Sequence, residues 1–261
     1  MPDILKAVLL SCLLLGMANA QAELPPDYRM TLLTANFPPF NMAKGAKDFA
    51  RGDEVQGIAT DAVREVFKRA GIAYSLTLRS PWNRVYEQTL ALPDHGLLSV
   101  ARSEKNKAQF KWVGPLAQYE SVLLAAPGSA LAFENLAQAK GYKIGAYKNG
   151  GVSHYLESQQ LAVVETLQDE ENLRKLLSGR IDLWATAEPV WRTYAKQENV
   201  TGLRTVLSFR SEKLYLALNR NTPDEVVQRL QKAMDEVIAE GYGGCSKTPD
   251  LCYLIRDRGT P

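Results

Sequence analysis

The chain has 261 residues, 46% hydrophobic and 23% charged, which suits a globular protein of one large or two smaller domains whose core needs no staples. Its 31 basic and 29 acidic side chains leave a formal charge of +2, so there is neither an electrostatic footprint for nucleic acid nor a polybasic patch for a membrane. A small molecule or a protein is the partner this balance leaves.

The first twenty residues read as an export signal. Lys6 precedes an apolar run from Ala7 to Met17, broken only by Ser11, Cys12 and Gly16, and Ala18-Asn19-Ala20 supplies a small-x-small cleavage site. The mature start is expected at Gln21 and the location is periplasmic. An uncleaved anchor is the weaker reading, because the run falls short of the roughly twenty residues that span a bilayer. A lipoprotein anchored through Cys12 would have too short an apolar region before the cysteine. Cys245 and Cys252 remain in an oxidising compartment, where a disulfide closing a short loop is expected to stabilise by about 2–3 kcal/mol; two free thiols are the alternative. His95 and His154 stand far apart and no C-x-x-C occurs, so no metal site is predicted.

Arg29 to Ala35 reads as a first strand running into Asn36-Phe37-Pro38-Pro39-Phe40, a loop that two prolines hold extended with a ring at either end. Gly57 to Gly71 is an amphipathic helix with Ala62, Val63, Val66 and Phe67 on one face and a glycine past its end. Tyr74 to Arg79 alternates as a strand, and Pro81-Trp82 opens a helix through Asn83 to Leu92. Leu97 to Ala101 is a short buried strand that turns abruptly into the charged Arg102-Ser-Glu-Lys-Asn-Lys107, and such a carboxyl edge is where open α/β sheets bind ligands. Phe110 to Pro115 is extended, and Ser121 to Ala126 is a second apolar run.

The pattern then repeats. A helix is expected over Phe133–Lys140, a strand over Tyr142–Lys148, a helix over Gly151–Gln160 and a strand over Ala162–Leu167. A helix over Asp169–Arg180, a strand over Ile181–Ala187 and a helix over Pro189–Asn199 follow. Leu203–Phe209 and Leu214–Asn219 return the chain, and Thr222-Pro-Asp-Glu225 reads as a helix start with a threonine cap, for a helix running to about Gly241. Two α/β lobes with mostly parallel sheets result; a single doubly wound sheet is the competing architecture.

In order and spacing, Asn36-Phe-Pro-Pro-Phe40, Pro81-Trp-Asn-Arg84, the S-E-K turn and Phe110-Lys-Trp-Val-Gly-Pro115 resemble the family 3 periplasmic solute-binding proteins of ABC importers, from Tyr28 to about Tyr242. The resemblance implies a type II two-lobed fold with two crossing strands at a hinge, near Tyr119 and near Lys213. Lobe 1 is then 21–120 with 213–261, and lobe 2 is 121–212. It implies a monomer that captures a small molecule between the lobes for an ABC permease or a membrane sensor, with Phe37 over the ligand, Trp82 and Tyr147 in the cleft, and Phe40 plugging the sheet.

The departures matter as much. Amino-acid binders of this family commonly carry an arginine, clamping the α-carboxylate, where this chain has Asn106, and an aspartate for the ammonium where it has Ala187. Arg102 and Glu188 lie close enough in sequence to substitute, and Arg84 could supply a further anionic contact. Otherwise a neutral or singly charged ligand stacked on Phe37 and Trp82 is expected, with its polar end at Arg102 or at the amides of Gly150 and Gly151, which open a helix; a tight turn is the plainer explanation of that glycine pair. No nucleophile elbow, metalloprotease motif, phosphate loop or dinucleotide fingerprint occurs, so neither cofactor nor catalytic residue is assigned. An enzyme resembling the cyclohexadienyl dehydratases, with Glu188 as its acid, and an accessory protein that docks to a partner are the alternatives.

Overall fold

The computed structural model describes residues 24–45 and 47–240. The leader, Cys12 and the Cys245–Cys252 pair lie outside the described residues. In the first half, β1 (Arg29–Thr34) runs parallel between β5 (Ala73–Arg79) and β6 (His95–Ala101). Met30 and Leu32 join the cluster formed with α1 (Ile58–Ala70) and α6 (Asp224–Ala239), while Leu33 and Leu97 pack with Val85 of α2 (Trp82–Ala91) on the opposite face. The 3.6-residue spacing of Val63, Val66 and Phe67 explains why α1 buries one stripe, and Gly71, in the left-handed region at φ 66°, ends it.

The second half repeats the plan. Here β8 (Ile144–Tyr147) lies parallel between β9 (Val163–Thr166) and β10 (Leu183–Glu188). Leu173 and Leu176 of α4 (Glu170–Leu177) and Val190 of α5 (Val190–Gln197) cover one face of this half, with Trp184 fully buried among them. Leu156 of α3 (Gly151–Ser158) packs on the other face with Ile144, Ala146 and Leu183.

Two strands of sixteen residues, β7 (Phe110–Ala125) and β11 (Arg204–Asn219), join the halves and pair antiparallel from Phe110↔Asn219 to Ala125↔Arg204. At one end β6 pairs with Leu214–Leu218 of β11; at the other β10 pairs with Glu120–Leu124 of β7. With β3 (Phe49–Arg51) at one edge and β9 at the other, the hydrogen bonding of the nine strands is continuous, and β2 (Met42–Ala43) pairs with β4 (Val55–Gln56) apart from it.

The segments 203–209 and 214–219, expected as separate strands, are thus one. The charged residues between them pair as they cross: Glu212 stands opposite Tyr119, from which it accepts a hydrogen bond, and meets Arg210 Nη2 at 2.9 Å. Pairing is irregular between Leu214 and Leu216, opposite Gly114. There the α6 residue Gln231 accepts from the Gly114 N–H at 3.0 Å and donates to its carbonyl at 3.2 Å.

Two further expectations change. The helix over Phe133–Lys140 is a single 3-10 turn, Leu136–Ala139, capped by Asn135, and Phe133 lies before it, packed edge-on against Tyr142. Thr222 does not cap α6: its hydroxyl is buried without a hydrogen-bond partner, and Pro223 is the N-cap residue.

The loop after β1 is held from behind. Gly57 has φ 130°, and a Cβ there would stand 2.4 Å from the Phe40 carbonyl oxygen. Gly57→Ala therefore meets both backbone strain and a collision with backbone, and is expected to lower the unfolding free energy in urea by roughly 2 kcal/mol or more.

Candidate functional site

The carboxyl ends of β1, β6, β8 and β10 point at one cavity between the halves, lined among others by Phe37, Trp82, Ser99, Tyr119, Tyr147, Gly150, Gly151, Asp169 and Ala187. Of the residues singled out in the sequence, Phe37, Trp82, Tyr147, Gly150 and Gly151 come together here. Phe37 stacks on the fully buried Phe40 at 5.3 Å and meets Tyr119 edge-on at 5.7 Å, so its half-buried ring has a fixed orientation. Gly150 and Gly151 open α3, whose first amides have no acceptor inside the helix.

Arg102 and Glu188 do not line the cavity. Arg102 is exposed, its guanidinium 5.7 Å from the centre of the Trp112 ring. Glu188 accepts from the Trp191 indole and the Arg192 guanidinium, which turn its carboxylate along α5. Arg84 is exposed and also absent from the lining. Asn106 closes its own turn, accepting from the Ser103 N–H at 2.8 Å and donating to the Ala101 carbonyl at 2.9 Å.

Asp169 is the charged residue of the lining, and sequence reading took it only for the start of α4. Its side chain caps no helix amide. It accepts instead from Trp184 Nε1 at 2.9 Å, Thr186 Oγ1 at 2.7 Å and Asn172 Nδ2 at 3.1 Å. All three donors are neutral, and among the described residues no cation pairs with it. Burial pushes its carboxyl above the usual carboxylate range, against the pull of these donors. The signal available in the sequence was Trp184 and Thr186, two polar-tipped residues of a buried strand on one face, which need an acceptor. Ser99 was missed as well. Its backbone is left-handed at φ 59°, and its buried hydroxyl has no hydrogen-bond partner among the described residues.

Contacts cross the cavity mouth. The Trp82 N–H donates to the Tyr147 hydroxyl at 3.0 Å, and Gln168 Nε2 donates to Asp48 Oδ2 at 3.0 Å. Burial first, and then the nearby acids Asp169, Glu170 and Asp48, push the Tyr147 phenol up to about 12, although the bond from Trp82 pulls the other way. No group of His, Cys, Asp and Glu among the described residues gathers as a metal site.

This is the two-lobed fold of periplasmic solute-binding proteins, with the crossing strands β7 and β11 between the lobes. Solved structures sharing it include a histidine kinase sensor domain with similarity to periplasmic binding proteins, at 18% identity and a TM-score of 0.72 over 82% of this chain and 92% of that one. The arginine-, lysine-, histidine-binding protein ArtJ of Geobacillus stearothermophilus matches at 20% identity and 0.68 over 82% and 90%. An ancestral arginine-binding protein bound to glutamine matches at 20% and 0.69 over 86% and 96%. No family model matches the sequence, and no curated relative does.

An unfolded phenol ionises near pH 10. Between roughly pH 10 and 12 the folded protein therefore holds the Tyr147 proton while the unfolded chain releases it, and stability falls as pH rises through that window. Tyr147→Phe is expected to cost about 1 kcal/mol at pH 8, from the lost acceptor, and to make the decline between pH 9 and 11 shallower in urea melts. Equal slopes in the two proteins would remove Tyr147 from the contact.

Proposed function

We propose that this protein is a periplasmic solute-binding protein that captures a small molecule between its lobes and presents the closed form to an ABC permease or a membrane sensor. The observation that carries the reading is the cavity itself. It is walled by Phe37, Trp82 and Tyr147, reaches residues of both halves, and is bridged at its mouth by the bond from Trp82 to Tyr147. Aromatic walls with few polar points suit a compact, partly apolar ligand. The halves 21–120 with 213–261 and 121–212 act as the two lobes, hinged where β7 and β11 cross. No helix among the described residues is long and apolar enough to cross a membrane, and the chain acts as a monomer with its leader removed. The neighbours in fold support binding over catalysis: one is a sensor domain and others bind amino acids.

Native mass spectrometry of the gently purified protein is expected to find a small molecule bound, and calorimetry with that compound should give a dissociation constant at least ten-fold weaker for Trp82→Ala. Absence of any ligand-dependent thermal shift across a broad metabolite panel would overturn the reading, as would turnover of the bound compound.

A further inference from the structure

We infer that the ligand carries a cationic nitrogen, an amine or a related organic cation on an apolar or aromatic body, which pairs with Asp169 and needs no carboxylate for tight binding. The inference rests on the binding-protein reading and adds the ligand's charge to it. Asp169 sits at the cavity wall, held by Trp184, Thr186 and Asn172, which supply hydrogen bonds but no countercharge. A carboxylate offers about four acceptor positions. Three are taken, which leaves one for a ligand. Asp169 is half-buried at the cavity wall, and a carboxylate withdrawn from water favours a countercharge; the cavity is where that group belongs.

The rest of the wall agrees. Among the described residues no lysine or arginine lines the cavity, Arg102 and Arg84 being exposed outside it. Near the Tyr147 hydroxyl the acids Glu170 and Asp48 accompany Asp169 and help to raise the phenol, after burial. The aromatic faces of Trp82, Phe37 and Tyr147 add the quadrupole attraction that such rings have for cations. Ser99, more than nine-tenths buried with an unpartnered hydroxyl, is a second polar point and carries no charge. Among the described residues a carboxylate would find hydroxyls such as that of Ser99 and the amides that open α3, which can donate hydrogen bonds but bring no side-chain countercharge.

A structural role alone, pinning α4 to β10, would make Asp169 matter for stability but not for the choice between a cation and its neutral counterpart. The test therefore measures selectivity. Dissociation constants of 2-phenylethylamine, 2-phenylethanol and phenylalanine, and of agmatine against arginine, are measured by calorimetry or ligand-observed NMR on the full mature chain. The amines are expected to bind at least ten-fold tighter than the alcohol and tighter than the matching amino acids. In Asp169→Asn the amine preference should shrink to within about three-fold while the alcohol is unaffected. The wild-type ratios decide the matter even if that variant does not fold. The alcohol or the amino acids binding as well as the amines, or an amine preference that survives Asp169→Asn, would overturn the inference. So would a broad metabolite panel in which no cation shifts the protein; neutral or acidic compounds that do shift it would leave the binding-protein reading standing.

Discussion

The antiparallel pairing of β7 with β11 is the constraint on which the rest depends. Each strand is long enough to serve both halves, so β6 hangs from one end of the pair and β10 from the other. At the crossing, Glu212 is buried with its carboxylate between Arg210 and Tyr119. Removing one partner from such a group costs several kcal/mol, since the remaining charge stays buried. The pairing leaves regular geometry at three places, between Thr205 and Leu207, between Ser208 and Arg210, and between Leu214 and Leu216, the last opposite Gly114, which Gln231 stitches to α6.

That arrangement also decides what the cavity contains. Parallel strands of both halves end at the same gap, and several residues at or past their carboxyl ends line it: Asn36 and Phe37 after β1, Gly150 and Gly151 after β8, Ala187 near the end of β10. Among the described lining residues the carboxylate is that of Asp169, from the turn before α4, held by Trp184 and Thr186 of β10. The site is thus assembled from a rigid ring cluster and one anchored charge, with the Tyr147 hydroxyl closing over it.

Much of this was legible in the sequence, for identifiable reasons. The helices α1 and α6 declare themselves by their apolar spacing, and β1 and β6 by short apolar runs that end in turns. Phe37, Trp82 and Tyr147 were placed by the family resemblance, since the residues alone left a ring plugging the sheet, as Phe40 does, equally open. The crossing was only half legible: Arg210-Ser-Glu-Lys213 looks like a loop, and nothing local reveals that Glu212 pairs with Arg210 and accepts from Tyr119 of β7. Asp169 was illegible for a related reason, since an aspartate before Glu-Glu-Asn has every appearance of a helix cap. Arg102 and Glu188 were chosen by nearness in sequence, but side chains near the end of a strand alternate in direction, and these two are engaged by Trp112 and by Arg192. Thr222 has the spacing of a cap without its geometry.

The shared strands also bear on how such a chain can change over generations. Side chains along a strand alternate with a period of two, so one residue gained or lost between Leu116 and Tyr119 would reverse every position beyond it, turning Tyr119 outward and driving Glu120 into the core. Both halves would feel the slip, because both pair with the same two strands. Drift in length is therefore confined to places such as the exposed turn around Lys44 and Gly45, and new ligand preferences must arise by exchanging side chains at fixed positions around the gap.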